Sequence, residues 1–353
     1  MSDSLFYRDK PIFGLEIGNT AVRAMSVNSK KLSVTSYGSL DISPVKMSES
    51  IENPDNEYLT EQISTLLKSG LRGTLPSRRA IVGIPTIKTF SRTFTLPKKV
   101  EKNLKEAVAL EVDQYIPLPS DSLYIDYQII ERDKSNLVIL LNAAPKKYID
   151  SVYSSVQKAG IQVVMIEPNI NAIARVLKKT EDGELPTVIV DVGAASTDIA
   201  ILDGGMVRVT GGVAVGGNTF TLNISKKLGV SLENAYQLKV LNGLNAGNRQ
   251  KSILGAIEPS LEDVTREIRR VMRYYADRVS PDIKFQQLII VGNGANMPGL
   301  GEYMTNDLMV AARVAAPWQK LDFEKIEEPT KQVKPQLIAV AGLSCIPPKE
   351  VSF

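Results

Sequence analysis

The chain has 353 residues, of which 43% are apolar and 23% charged, an ordinary globular composition and more length than one hydrophobic core usually organises, so two or more subdomains are expected. Its 42 basic and 39 acidic side chains leave a net charge of +3, too balanced to form an electrostatic footprint for nucleic acid. Histidine is absent, which excludes imidazole acid–base chemistry, Ser-His triads and most transition-metal sites.

The opening MSDSLFYRDK lacks a basic segment followed by an apolar one, and no window reaches the roughly 18 apolar residues of a membrane span, so neither export nor membrane insertion is expected. Residues 12–17, 22–27 and 32–40 read as three strands of a β-meander, with turns at Gly18-Asn19-Thr20 and at 28–31. The polar, proline-containing stretch 51–57 reads as a loop. Strands at 80–84 and 89–96 precede a helix with Leu104, Val108, Val112 and Tyr115 at helical spacing, stopped by Pro117 and Pro119. That apolar face reads as core, and Lys98, Lys99, Lys102 and Lys105 as its exposed start. Strands at 123–131 and 137–143 and a helix at 146–159, ended by Gly160, complete a block at 80–162 that reads as an inserted α+β module. A partner peptide could add along an edge strand of this module, with the edge left open. A strand at 163–166 then enters Glu167-Pro168 and a helix through Leu177.

Strands at 187–191, 199–202 and 206–209 repeat the meander. Aligning GLEIGNTAVRAMSV with VIVDVGAASTDIAIL sets Glu16 on Asp191 and Gly18 on Gly193, the mark of an internal duplication and of two similar lobes. The expected division is lobe one at 1–79, with its return at 163–186, and lobe two at 187–215 and 284–333. A helical subdomain fills 216–283, and a C-terminal helix and tail at 334–353 rejoin lobe one. In the helical part, Gly216-Gly217-Asn218 opens a helix to Leu228 and 261–279 forms a second. The latter's Arg266, Arg269, Arg270 and Arg273 read as a solvated or interlobe face. A buried strand at 285–291 enters the glycine-rich turn Gly292 to Gly299, and 321–336 reads as a loop. The single cysteine, Cys345, reads as a small buried hydrophobe that fits a reducing compartment. The tail PPKEVSF carries no amphipathic helix, so any membrane association requires a partner.

Two acid-x-Gly hairpin turns in matching frames, Glu16-Ile17-Gly18-Asn19-Thr20 and Asp191-Val192-Gly193-Ala194-Ala195-Ser196-Thr197, offer backbone donors and a carboxylate apiece, as a nucleotide triphosphate with hydrated magnesium requires. Arg23, just past the first turn, is placed to reach a phosphate oxygen. The third glycine cluster has GxGxxxxG spacing with no acidic residue near 312, which excludes a dinucleotide fold, and no GxxxxGK[ST] is present.

This succession of phosphate turn, connecting segment, second phosphate turn and glycine-rich adenosine turn resembles the actin-like ATPase superfamily, a duplicated two-lobe α/β fold related to ribonuclease H. The inserted module is similar to the one that FtsA and PilM carry, and EVDQYIPLP at 111–119 with Asp126-Tyr127 resembles the PilM family of type IV pilus assembly. The resemblance implies a cytoplasmic adaptor, peripheral at the inner membrane, that binds ATP and magnesium and grips the N-terminal segment of a PilN-like inner-membrane protein. FtsA-like cell division, type II secretion or a phosphotransferase of the same superfamily are the alternatives. Carried over by motif, Gly18, Asn19 and Thr20 contact phosphate, Gly193, Ala194 and Thr197 the opposite side, and Glu16 and Asp191 the metal through water. Gly216, Gly217, Asn218, Lys226, Gly292, Gly294 and Met297 border the nucleoside. Glu167 is the candidate for positioning water. Glu16 departs from the usual Asp of the superfamily, so ATP binding is expected ahead of efficient hydrolysis.

Overall fold

The computed structural model describes residues 11–53, 56–181, 185–245, 247, 249–323 and 325–346. The opening decapeptide and the PPKEVSF tail lie outside them.

Lobe one begins with the meander β1 (Phe13–Ile17), β2 (Ala21–Asn28) and β3 (Ser33–Asp41). Two helices follow, α1 (Pro44–Glu52), capped by the Ser43 hydroxyl, and α2 (Tyr58–Ser69), then β4 (Leu71–Gly73) and β5 (Arg79–Ile84). The inserted module holds β6 (Phe90–Pro97), α3 (Leu104–Tyr115), β7 (Leu123–Arg132) and β8 (Asn136–Pro145). The chain returns through α4 (Lys146–Lys158), β9 (Gln162–Pro168) and α5 (Asn169–Thr180). Lobe two repeats the plan with β10 (Thr187–Val192), β11 (Thr197–Asp203) and β12 (Met206–Val213). After α6 (Gly217–Leu228), α7 (Leu232–Leu241) and α8 (Gln250–Arg278) come β13 (Gln287–Val291), α9 (Leu300–Leu308), β14 (Ala312–Val314) and finally α10 (Ile338–Ser344).

The lobe-one sheet has the order β4-β3-β2-β1-β5-β9 and the lobe-two sheet β12-β11-β10-β13-β14. Each is an antiparallel meander whose first strand pairs in parallel with the next one inward, β1 with β5 and β10 with β13. The duplication therefore extends from the turns to the strand order. Helices α5 and α10 lie between the two sheets. Ile170, Ile173, Ala174 and Leu177, at helical spacing on α5, share one core with Val340 and Leu343 of α10, Met25 and Ile81 of lobe one, and Ile189, Ala200 and Ile289 of lobe two.

The inserted module is smaller than 80–162. β5 belongs to the lobe-one sheet between β1 and β9, which explains its continuous apolar run AIV: a parallel strand is buried on both faces. α4 likewise packs Tyr148, Val152 and Val156 into the lobe-one core beside Leu59 and Ile63. Only the sheet β6-β8-β7 and α3, which buries Val108 and Val112 against Leu137 and Ile139, form the module. The helix expected at 261–279 starts at Gln250 and carries Pro259 inside it; the proline removes one backbone donor without ending the helix, because its core-facing side chains hold it. On that helix Arg266, Arg269 and Arg270 pair with Asp263, Asp307 and Glu267, a solvated face with its charges matched. The expected loop at 51–57 begins inside α1.

Candidate nucleotide cleft and a second groove

Strand alternation decides which residues face the space between the lobes. On β1, Phe13, Leu15 and Ile17 enter the outer core of lobe one, so Glu16 points the other way. On β10, Val188, Val190 and Val192 enter the outer core of lobe two, and Asp191 faces Glu16 across the gap. The partners across each hairpin are Arg23 for Glu16 and Asp198 for Asp191. The duplicated positions thus bring three carboxylates and one guanidinium to one interlobe cleft of about 470 Å³.

Glu16, Gly18, Asn19, Thr20 and Arg23 line the cleft from lobe one, and Asp191, Gly193, Ala194, Asn218 and Gly292 from lobe two. The first turn closes through Gly18 N donating to Ala21 O at 2.9 Å and the second through Gly193 N donating to Ser196 O at 2.9 Å. The start of α6 braces the second turn: Gly217 N donates to Gly193 O and Asn218 N to Ala194 O, each at 2.9 Å. Gly216 sits behind this turn, and Gly217, Asn218, Gly294 and Met297 line a small side cavity of about 30 Å³ next to the cleft. Gly292 has φ +81°, and a Cβ there would stand 2.2 Å from Asp191 Oδ1. Only glycine lets the end of β13 crowd that carboxylate.

Arg23 Nη1 holds Glu16 Oε1 at 2.9 Å, while Glu16 Oε2 is buried without a partner. Burial outweighs the guanidinium, and the Glu16 carboxyl is held above its usual range. Asp191 is pushed up to about 7, by burial first and then by the neighbouring Glu16. Asp198 is pushed up to about 8 by burial and by Asp191 opposite it, against the Thr86 hydroxyl and the Thr86 and Ile87 amides that bond it. Asp198 Oδ1 and Asn169 Oδ1 are further buried acceptors without partners. Such a set of orphaned oxygens fits a cation delivered with its own hydration shell. Among the described residues no three Asp, Glu or Cys side chains are arranged to grip an ion directly.

Four candidates fall outside this arrangement, the first being Gly216, which stands behind the second turn and lines neither cavity. Thr197 shares the outward face of β11 with Ile199 and Ile201, is fully buried, and donates to Val215 O at 2.7 Å. Lys226 is exposed in the last turn of α6 and lines neither cavity. Glu167 is 7% exposed, but both its oxygens accept from Arg175 at 2.7 Å, and it borders a different groove. A carboxylate clamped by a bidentate guanidinium beside that other groove, and absent from the cleft lining, is not placed to orient a water in the cleft. Asp198 and Asn169 occupy that position instead.

Sequence reading also missed Lys239. It is 6% exposed, donates to Gly217 O and the Thr221 hydroxyl at 2.8 Å each, lies 4.9 Å from the centre of the Tyr236 ring and lines the side cavity. Burial lowers its ammonium to about 8. The available signal was Ser231, whose hydroxyl caps α7; the apolar period was hidden because Leu232 and Leu241 are exposed.

The second groove, of about 490 Å³, runs between the inserted module and lobe one. β7 and β9 are the outer strands of their sheets, and both border it, through Tyr124, Ile125 and Asp126 on one side and Met165, Ile166 and Pro168 on the other.

Two lobes of matching core strand order around an interlobe cleft define an actin-like fold. A family model described as type IV pilus assembly protein PilM matches residues 14–345, and the chain belongs to that family. A solved PilM-PilN type IV pilus biogenesis complex superposes with a TM-score of 0.78 at 22% identity, over 98% of this chain and 100% of that one. MreB5 of Spiroplasma citri bound to ADP superposes with a TM-score of 0.50 at 11% identity, over 95% of each chain. Cell division protein FtsA of Neisseria meningitidis serogroup B is 28% identical over 98 residues, 27% of this chain and 23% of that protein's length. Among the described residues no helix is long and apolar enough to cross a membrane.

Proposed function

We propose that this protein is a cytoplasmic adaptor of a type IV pilus assembly machine, which closes on ATP and hydrated magnesium and holds the N-terminal segment of a PilN-like inner-membrane protein. Membership of the PilM family and the likeness to a PilM-PilN complex support the pathway and the partner. The observation that carries the nucleotide is the facing pair of glycine turns, flanked by Glu16 before the first and Asp198 after the second, two buried acids that each keep one oxygen without a partner. The turns supply backbone amides for phosphate, Arg23 a cation, and Glu16, Asp191 and Asp198 acceptors for the waters of the ion. Tyr236 and Lys239, with Gly294 and Met297, supply a polarised, partly apolar wall for the nucleoside. Asp198 and Asn169 are the acceptors available to orient an attacking water.

The partner segment fits the second groove. Two strand edges face it, so an extended peptide can pair its backbone with either, while Ile125, Met165 and Ile166 receive apolar side chains. In this reading the partner holds the protein at the inner membrane.

Thermal unfolding tests both halves. Mg-ATP at about 100 times its Kd is expected to stabilise wild type by about 2.7 kcal/mol, and Asp191→Ala to lose most of that shift. A peptide copying the N-terminus of the PilN from the same genome is expected to add a separate shift. Absence of any nucleotide shift removes the cleft reading; a nucleotide shift with no peptide effect removes the partner.

A further inference from the structure

The exposed arginines of α8 stand beside their own acids, and Lys147 beside Glu52. The far end of the inserted module is different. There a 3₁₀ segment, Lys98–Asn103, runs into α3, and Lys98 N donates to Ser135 O at 2.8 Å, which sets the segment against the turn between β7 and β8. Lys98, Lys99, Lys102, Lys105, Arg132 and Lys134 are all exposed at this end. Among the described residues only Arg132 of these six forms an ion pair, with Glu101 at 3.5 Å.

The acids within reach do not balance them. Glu101 is engaged by Arg132, Asp133 accepts from the amides of Ser135 and Asn136 at 2.6 Å each, and Glu106 stands in the first turn of α3. Glu131, the preceding acid on β7, reaches back to Arg208 of β12. The six cations and three acids carry the whole net charge of +3, so the rest of the chain is neutral. A neutral body with its surplus at one end is turned by an anionic surface until that end faces it. Five of the six cations are lysines, flexible point charges without the planar fork that reads a single carboxylate, and such a set suits a field spread over many headgroups. Leu110, about 7.5 Å beyond Lys105 along α3, is 66% exposed, an apolar side chain beside the charges that a headgroup layer can receive.

We infer that this end of the module is a membrane-contacting face that lies on anionic phospholipid headgroups. The choice of a bilayer as occupant rests on the adaptor reading above, which ties the chain to an inner-membrane protein through one short segment. β7 carries both contacts: Tyr124 and Asp126 border the groove near its start, and Arg132 ends it about 20 Å further on. A peptide in the groove and lipid at the far end are then two tethers on one rigid sheet, each raising the effective concentration of the other.

The test is co-sedimentation of the full chain with phosphatidylethanolamine vesicles containing about 30% phosphatidylglycerol, and with neutral phosphatidylcholine vesicles, over rising salt. Binding to the anionic vesicles alone, lost by about 0.5 M salt, is expected. Each lysine near the surface contributes about fivefold to affinity, so Lys99→Gln, Lys102→Gln, Lys105→Gln and Lys134→Gln together should weaken binding at least about a hundredfold. The control removes the same charge elsewhere: Lys30→Gln, Lys31→Gln, Lys158→Gln and Lys284→Gln, all exposed, should stay within about threefold of wild type, because charges beyond a Debye length are screened. Equal losses in the two variants would overturn the patch and leave a net-charge effect. Equal binding to neutral vesicles, or binding to neither, would overturn the lipid face, and saturable binding of soluble polyglutamate without vesicle binding would assign the patch to an acidic protein instead. The thermal shift induced by the PilN peptide is read in parallel on the same samples. Vesicle binding without that shift would sink the adaptor reading and keep the face, and the shift without vesicle binding would do the reverse. Circular dichroism melts confirm that each variant is folded.

Discussion

Asp198→Asn is expected to stabilise the ligand-free protein above pH 7, by at least about 2 kcal/mol, and to flatten its stability between pH 4 and 8. Asp198, buried, and Asp191, half-buried, stand directly opposite each other on β11 and β10, with folded-state values pushed up to about 8 and about 7. An unfolded aspartate titrates near 3.9. Between pH ~4 and 8 the folded protein thus retains protons that the unfolded chain has released, so more protons are bound in the native state and stability falls as pH rises. The loss is complete above the folded values and absent below about pH 4. The pair titrates as one unit, with Glu16 contributing to the field on Asp191. Asparagine keeps an acceptor for the Thr86 and Ile87 amides and abolishes the charge. Chemical denaturation of wild type and variant at pH 4.5, 6, 7 and 8.5 reads the effect directly: coincidence at the acid end and divergence at the alkaline end are expected, and parallel curves would mean that the carboxylates are ionised and solvated throughout. With Mg-ATP the order should reverse, because a bound cation rewards ionised carboxylates. The same storage of unfavourable charge explains why Asp191→Ala should be judged by its ligand-induced shift rather than by its absolute melting temperature.

How far the sequence carries depends on whether a signal is local. The two meanders are legible because apolar alternation and glycine turns act within a few residues, and the match of Glu16 to Asp191 follows from the frame alone. Alternation would also have excluded Thr197: it stands two residues from Ile199 and four from Ile201, hence on the outward face, while Asp198 shares the inward face with Ala200. Glu167 failed for a different reason. An acid at the end of a strand does not disclose its neighbours, and Arg175, two helical turns into α5, neutralises it. The module's limits were illegible because β5 can join either sheet as far as its own residues show; its partners β1 and β9 lie about 67 and 84 residues away in sequence, and such pairing is decided by the assembled core. α7 and Lys239 were hidden by exposed leucines on a helix whose purpose is to wall a cavity rather than to fill one.

The largest packing effect is expected at Gly342, where substitution by alanine should cost about 3 kcal/mol or more. A Cβ on Gly342 would stand 1.9 Å from Ala172 O and 2.4 Å from its carbonyl carbon. Both are backbone atoms of α5, so no rotamer relieves the clash and the two central helices must part. Their separation loosens more than the apolar core. The Ser344 hydroxyl accepts from Gly14 N at 3.0 Å and donates to Met25 O at 2.6 Å, tying α10 to β1 and β2, and Arg175 donates to Gly342 O at 3.1 Å. β1 ends in Glu16 and the first glycine turn, and α5 begins with Asn169, so the α5–α10 crossing sets the spacing of one side of the cleft. Gly342→Ala should therefore lower the urea midpoint and also weaken nucleotide binding without touching a ligand contact. Gly301→Ala in the first turn of α9 is the control: its Cβ would meet only Ala312 O at 3.5 Å, ordinary contact, so its effect on stability is expected to be small. If Gly342→Ala proved no more damaging than Gly301→Ala, the close crossing of α5 and α10 would not be what holds the two lobes in register.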